Sequence, residues 1–274
     1  MTLYARAITL RNCGRFTVIA SDFGGDYRTQ THVTSQALYA SLTHGATWRA
    51  GGTVEGRPIY PSIKVQKDRY DFSTDYDLQE LPIWFTPGLF ARRDGDDLSD
   101  QALDAGYFNV VHECYPSTSK QFKFDGKGKL KDAKRPSRVP TYGTWQGILP
   151  DRRLYTVALA HDPALLEAFE VGQTYLLGKK RTMMQITARS ELIAGEEKRG
   201  ICHTGLLQLT PDQITHFRSF DVVAATMRYL IVQGEIREEQ TCITFDFDDA
   251  SDEQSLALPQ FYLENTPLAT EMQQ

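Results

Sequence analysis

Positive charge is concentrated in one segment of an otherwise acidic chain. Residues 120–138, KQFKFDGKGKLKDAKRPSR, hold eight of the 30 lysines and arginines and two acidic residues, a local charge of +6. The whole 274-residue protein carries −5, so the remainder carries −11. Lysines neutralise phosphates, and the interleaved Phe122 and Phe124 can stack on bases. The segment therefore predicts nucleic-acid binding; the alternative is a solvated loop that keeps the protein soluble.

The glycines of this segment favour a β-hairpin. Lys120–Phe124 would form the outgoing strand, Asp125-Gly126 the turn and Lys129–Lys131 the returning strand. Because few of its residues are apolar, we expect the basic arm, residues 116–140, to project into solvent and to become ordered on binding. Its candidate RNA contacts are Lys120, Lys123, Lys127, Lys129, Lys131, Lys134, Arg135 and Arg138.

A second cationic group occurs in the stretch LLGKKRT. Its glycine allows a backbone to approach a phosphate closely, and three cations follow. The spacing is not that of a Walker phosphate-binding loop, so a strand turn with exposed cations is the alternative. The candidate residues are Gly178, Lys179, Lys180 and Arg181.

Two large aromatic residues, Tyr142 and Trp145, follow the basic arm in the stretch TYGTWQG. They are candidate stacking surfaces for bases. Large aromatic side chains also bury much area in protein cores, so packing is an equal alternative.

Motifs for covalent or metal-dependent catalysis are absent from the sequence. It contains neither GxSxG nor HExxH, and its four cysteines are far apart, as expected for reduced thiols in a cytosolic protein. A metal-free ribonuclease needs only a base and an acid near a phosphate. The histidines that could serve are His32, His44, His112, His161, His203 and His216, and none has a distinctive context. We therefore predict no catalytic residue, no metal and no cofactor.

Hydrophobic patterning predicts an α+β fold with a mainly antiparallel sheet. Strands are expected over 3–11, 81–88, 106–115, 153–161 and on both sides of 178–181, with two more around Gln233-Gly234. Helices are expected over Thr34–Thr43, ended by Gly45, and over 162–172, begun by Asp162 and Pro163. Two helices between strands admit a ferredoxin-like βαββαβ core with long insertions. We interpret residues 1–274 as a single domain with an acidic, partly irregular tail over 248–274, partly ordered by Phe261, Tyr262 and Leu263.

The sequence also bears on cellular location. No apolar run reaches the roughly 18 residues that a membrane helix needs. The N-terminal stretch alternates and carries Arg6 and Arg11, so it lacks the apolar core of a signal peptide. We therefore expect a cytoplasmic protein with no membrane partner.

Four blocks of sequence resemble a known family. Residues 23–42 (FGGDYRTQTHVTSQALYASL), 83–88 (IWFTPG), 139–159 (VPTYGTWQGILPDRRLYTVAL) and 175–186 (YLLGKKRTMMQI) occur in this order. Together they resemble the RAMP subunit of type I-D CRISPR surveillance (Cascade) complexes, a member of the Cas-five family that caps the 5′ end of the guide RNA. The resemblance ends near residue 190, and the long lysine-rich arm and acidic tail depart from the family pattern.

The resemblance implies a function and a set of partners. It implies an RRM-like, ferredoxin-type core with a protruding β-hairpin thumb, here Lys120 to Arg138. The family holds the 5′ handle of the guide RNA (crRNA), contacts the backbone RAMP subunit and the large subunit, and helps to position target DNA near the adjacent motif in antiviral defence. By position, Gly178–Arg181 would contact handle phosphates.

Two other functions remain open from the sequence. Because one type I-C relative cuts RNA, a metal-independent endoribonuclease that processes crRNA is the first alternative to a non-catalytic subunit. A protein-interaction module whose basic arm docks on an acidic partner is the second, because charge alone does not distinguish phosphate from carboxylate.

Overall fold

The computed structural model describes the chain in separate stretches. These are residues 2–16, 19–23, 26–50, 53–54, 57–58, 82–91, 103–110, 123–124, 130–131, 141–177, 182–225, 229–237, 240–247 and 256–269.

The elements of these stretches are mostly short strands. In chain order they are β1 (Tyr4–Asn12), β2 (Ile19–Phe23), β3 (Asp26–Thr29), β4 (His32–Val33), α1 (Ser35–Ala50), β5 (Thr53–Val54), β6 (Arg57–Pro58), β7 (Ile83–Phe85), β8 (Gly88–Ala91), β9 (Leu103–Val110), β10 (Lys123–Phe124), β11 (Leu130–Lys131), β12 (Thr141–Ile148), β13 (Arg153–Ala160), α2 (Pro163–Glu167), β14 (Thr174–Leu177), β15 (Thr182–Arg189), β16 (Ile193–Ala194), β17 (Glu196–Arg199), β18 (His203–Leu209), a 3-10 helix (Pro211–His216), β19 (Phe217–Ala225), β20 (Leu230–Ile236), β21 (Thr241–Phe245), β22 (Leu256–Pro259) and α3 (Gln260–Leu263).

The central sheet has the strand order of a ferredoxin-like core. Its four main strands lie in the order β15-β1-β13-β8, and each is antiparallel to its neighbours. Along the chain, α1 lies between β1 and β8, and α2 lies between β13 and β15. This is a βαββαβ unit with its fourth, first, third and second strands side by side. The predicted α+β class is therefore confirmed. Strands β14 and β4 extend the sheet at its two edges.

Helix α1 begins where the sequence predicts and ends later. The Thr34 hydroxyl accepts a hydrogen bond from the Ala37 amide at 3.3 Å, so the predicted N-cap is confirmed. The prediction that Gly45 ends the helix was wrong, because α1 continues to Ala50. A glycine in a helix interior costs about 1 kcal/mol relative to alanine, and the following ATWRA contains no proline that would break the helix. Buried Leu38, Tyr39 and Leu42 pack into the core.

Helix α2 also begins as predicted, with the Asp162 carboxylate accepting from the Ala164 amide and Pro163 in the first turn. It ends at Glu167, earlier than the predicted residue 172. Two arginines from the sheet satisfy carbonyls in and just after the last turn. Arg6 donates to the Leu166 carbonyl at 3.2 Å, and Arg189 donates to the Phe169 carbonyl at 2.7 Å.

Arg6 is a buried cation held by α2. Its side chain is 3% exposed and makes a bidentate ion pair with Glu167, with N–O distances of 2.9 and 3.0 Å. A guanidinium in such a position needs its carboxylate, because an unpaired buried charge is costly. The hydrogen bond from Arg6 is the main cause that lowers the pKa of Glu167.

Glu167→Gln should therefore destabilise the protein by about 1 kcal/mol at neutral pH, since a charge-assisted bidentate pair becomes a neutral contact and water screens the half-exposed carboxylate. Because the folded-state pKa of Glu167 is lowered, this contribution is present above the usual carboxyl pKa near ~4.3 and is lost as the pH falls through the folded pKa. Urea unfolding at neutral and acidic pH should show the two proteins converging in acid. Glu170→Gln, an exposed neighbour, is the control. A constant difference across pH would contradict this account.

The C-terminal part of the chain forms a second, six-stranded sheet in the order β17-β21-β22-β18-β20-β19. Within the predicted tail, β22 and α3 are ordered, and Tyr262 and Leu263 are buried, as expected. The indole nitrogen of Trp84, on β7, donates to the Tyr262 hydroxyl at 2.9 Å and joins the second sheet to the core. The Gly195 amide donates to the Leu3 carbonyl at 2.7 Å and makes a second connection.

The predicted hairpin turn at Gln233-Gly234 was wrong. Strand β20 runs through these residues, and the reversal before β21 lies later, where the Gln240 amide donates to the Arg237 carbonyl at 3.1 Å. Gly234 serves close packing instead, because a Cβ there would collide with the Ser219 carbonyl oxygen of β19.

Candidate nucleic-acid interface

The predicted contact residues fall partly within the described chain. Lys123, Lys131, Tyr142 and Trp145 have described backbones. The others lie outside the described residues: Lys120, Lys127, Lys129, Lys134, Arg135, Arg138, Gly178, Lys179, Lys180 and Arg181.

The basic arm contains an antiparallel strand pair. Strands β10 and β11 pair Lys123 with Lys131 and Phe124 with Leu130. This pairing agrees with the predicted outgoing and returning strands. The projection of the arm from the body stays a prediction.

The two predicted aromatic residues lie on β12. Tyr142 is opposite Asn109 of β9, and Trp145 is opposite Gly106. Trp145 also forms a parallel bridge with Tyr27 of β3, so it occupies a central strand of the insertion sheet β2-β3-β12-β9.

The second predicted cationic group lies between two strands of the core sheet. Strand β14 ends at Leu177, β15 begins at Thr182, and these two residues pair with each other. The expectation of strands on both sides of Gly178–Arg181 is therefore confirmed. Thr182 is also fixed from the opposite side, because its hydroxyl donates to the Arg15 carbonyl at 2.7 Å.

Buried Asn12 organises the end of the core sheet beside Thr182. Its side-chain amide donates to the carbonyls of Gly14 and Leu149 at 2.9 and 2.8 Å. Its side-chain oxygen accepts from the Arg152 amide at 2.7 Å. One fully buried side chain thus holds the segment after β1 against the turn before β13. Asp151 in that turn has a positive φ of 69°, a conformation that aspartate tolerates better than most residues.

Four arginines lie in or next to the paired ends of β1 and β13, and we call them the arginine rim: Arg11, Arg15, Arg152 and Arg153. Arg11 and Arg153 are directly opposite each other on β1 and β13. Arg15 and Arg153 are exposed, whereas Arg11 and Arg152 are half-buried. Like charges directly opposite on a sheet are destabilising, so an anion bound here would relieve an existing repulsion.

Arg11 is the rim residue whose side-chain partners are described. It forms an ion pair with Asp151 at 3.3 Å and donates to the Gln185 side chain at 2.9 Å. The Asp151 side chain is well exposed, so this pair is weak in water. Guanidinium groups carry planar sets of donors that suit phosphate oxygens.

Sequence reasoning missed this rim. Its members lie at positions 11, 15, 152 and 153, and no run of charge marks them. The register between β1 and β13 brings them together over more than 130 residues of chain. The sequence DRRLY carried one local signal, two adjacent arginines at the start of a predicted strand.

The described histidines do not form a catalytic group. His32 is buried, and burial lowers its pKa. His161 is buried with Nδ1 3.1 Å from the Thr2 carbonyl, His203 pairs with Glu235 at 3.1 Å, and the His216 ring stacks on Phe261. These four lie in four separate environments. His44 has a described backbone only, and His112 lies outside the described residues.

Within the described stretches, no three histidine, cysteine, aspartate or glutamate side chains come close enough to hold a metal ion. Cys13, Cys202 and Cys242 are free thiols, and burial is the main cause that raises the pKa of Cys242 to about 12. None of the described helices combines the length and the apolar character needed to cross a membrane.

Comparison with known proteins gives distant structural likenesses. No protein-family profile matches the chain, and no curated protein matches it. A chain of a type III-B Cmr-beta complex bound to cognate target RNA and AMPPnP is similar at 8% identity, over 87% of this chain and 85% of that chain, with a TM-score of 0.40. A CRISPR protein from Archaeoglobus fulgidus is similar at 8% identity, over 89% and 96%, with a TM-score of 0.34.

Proposed function

We propose that this chain is an RNA-binding subunit of a CRISPR effector ribonucleoprotein. The observation that carries the proposal is the arginine rim, which gathers cations at the end of the core sheet where β15 begins. In the sequence, Lys179, Lys180 and Arg181 immediately precede the first residue of β15. An overall acidic protein thus has a concentrated binding surface for a polyanion.

The finer proposal is a type I-D Cascade subunit of the Cas-five family that holds the crRNA 5′ handle in the cytoplasm. The ordered sequence blocks support it, and two of them, at 139–159 and 175–186, include rim residues and the cationic turn. In this role the backbone RAMP subunit and the large subunit are neighbours, and the basic arm grips RNA or target DNA beside the adjacent motif.

The proposed action is binding without turnover. Guanidinium groups of the rim contact consecutive phosphates, and such contacts position a strand without reading its sequence. The basic arm adds further phosphate contacts. Recognition of particular bases then depends on surfaces of the folded core.

Salt dependence tests the binding. If about five phosphates are contacted, log affinity for a single-stranded repeat RNA should fall with log salt concentration at a slope of about −3 to −4. Filter binding over about 0.05–0.3 M salt measures this slope, and the purified complex should carry bound RNA with absorbance shifted toward 260 nm. A slope near zero would contradict RNA binding, and an RNA-free complex bound to an acidic protein would favour the interaction-module alternative.

Incubation of labelled repeat RNA with the purified protein in EDTA tests the absence of catalysis. The proposal expects intact RNA. Cleavage that a single histidine or lysine substitution abolishes would establish the endoribonuclease alternative instead.

A further inference from the structure

One face of the core sheet carries an exposed aromatic residue next to the arginine rim. Tyr155 lies near the middle of β13, and its side chain is 43% exposed. Among the described residues, no hydrogen bond or ring contact involves this tyrosine. An exposed tyrosine with no described partner, on a central strand, is the feature that needs explanation.

The strand registers place Tyr155 in a cross-strand row. Leu89 of β8 is directly opposite on one side, and Thr9 of β1 is directly opposite on the other. Directly opposite residues of antiparallel strands share a face of the sheet. Leu89 is also exposed, so the row presents a flat aromatic and aliphatic surface to solvent.

The neighbouring row on the same face is cationic. Two residues along the strands, Arg153 is opposite Arg11, and Arg11 is opposite Gln185 of β15. Two residues of strand correspond to about 7 Å, so the arginine side chains reach the surroundings of the tyrosine ring. The described residues of the two rows include no carboxylate, and the exposed ion pair of Arg11 with Asp151 is weak enough in water for a phosphate to replace it.

The geometry points to a base-stacking site on this face: Tyr155 and Leu89 hold a base of single-stranded nucleic acid, while Arg11 and Arg153 hold the adjoining phosphate. This inference rests on the proposed RNA-binding function and adds the place at which a base is held. Charge and shape indicate which ligand fits. A nucleotide combines a planar base with an anionic phosphate, and the row of Tyr155 and the cationic row, about 7 Å apart, match these two parts. Stacking on one aromatic ring contributes to affinity for any base.

Tyr155→Ala, measured with a short single-stranded adenosine RNA, tests the site. Affinity should fall about 5- to 150-fold, the range expected for one lost base–aromatic stack. The salt slope should stay unchanged, because the tyrosine ring carries no charge. Tyr155→Phe should bind like the wild type, and the added fluorescence of Tyr155→Trp should be quenched by RNA. Phe220→Ala, a 41% exposed aromatic residue on β19 of the other sheet, is the matched control and should have no effect.

An RNA of the same length without bases sharpens the test, because it keeps the phosphates and removes the stack. On this probe, wild type and Tyr155→Ala should bind equally. Wild-type RNA binding that Tyr155→Ala leaves intact would overturn the stacking site and leave the proposed function standing. A reduced salt slope in Tyr155→Ala would also overturn it, because the tyrosine would then act by positioning the rim. Absence of RNA binding in the wild type would overturn both proposals.

Discussion

Leu166→Asp should abolish cooperative folding. Leu166 is fully buried in the core beneath α2, beside Leu165 and Phe169. An aspartate there would be an uncompensated charge, because the nearby cation Arg6 is already paired with Glu167. The cost of about 5 kcal/mol or more is comparable to the whole stability of a typical domain, about 5–15 kcal/mol. Circular dichroism during heating should show no cooperative transition, and the variant should accumulate in the insoluble fraction.

Val171→Asp is the control for this prediction. It introduces the same charge five residues later, at a position that is 58% exposed, so the added carboxylate remains in water. Its melting temperature should stay within a few degrees of the wild type. A soluble Leu166→Asp protein that melts cooperatively near the wild-type temperature would show that α2 does not pack as described.

Local chemistry predicted the elements that begin with a specific cap. Thr34 and Asp162 each carry an oxygen at the right position to accept an amide of the first helical turn, and both helices begin there. The order of strands and helices was also predictable from the sequence, because an antiparallel sheet with two helices between its strands can adopt only a few topologies. The core strand order agrees with that expectation.

The ends of elements were predicted less well, because they depend on distant residues. Helix α2 ends at Glu167, and Arg6 and Arg189, from two different strands, donate to carbonyls in and just after its last turn. Gly234 was interpreted as a turn residue, yet its small size is used for close approach to β19. In both cases a residue far along the chain determines the outcome, and no local pattern reports it.

The candidate site also has a part that the sequence predicts and a part that only the fold shows. A run of charge such as the basic arm is visible in the sequence, whereas the arginine rim exists only after β1 and β13 have paired in register. Asn12, which holds the rim together, is an ordinary polar residue until its three hydrogen bonds are known. The charge of the basic arm, which is contiguous in the sequence, is therefore tested with different variants from the charge of the arginine rim, which forms only on folding.

Neutralising Lys127, Lys129, Lys131 and Lys134 together should weaken RNA binding strongly and leave folding intact. Each lysine that contacts a phosphate of a single strand contributes about 0.7 to the salt slope. With about three of the five phosphates held by the arm and the others by the rim, the slope should fall by about 2. At about 0.1 M salt this corresponds to an affinity loss of about 100-fold. Glutamine at all four positions removes the charge and keeps most of the side-chain length. Filter binding across a salt series measures both quantities.

The matched control neutralises Lys198, Arg199 and Arg218, three exposed cations on β17 and β19 of the second sheet. If RNA were attracted only by overall charge, the loss of affinity per charge removed would be the same for both variants, since each neutralised residue changes the net charge by the same amount wherever it lies. If the arm contacts phosphates directly, the slope of log affinity against log salt concentration should be reduced in the arm variant alone. An equal reduction of this slope per charge removed in both variants would show that the arm makes no direct contact. Loss of thermal cooperativity in the arm variant would show that these lysines contribute to folding.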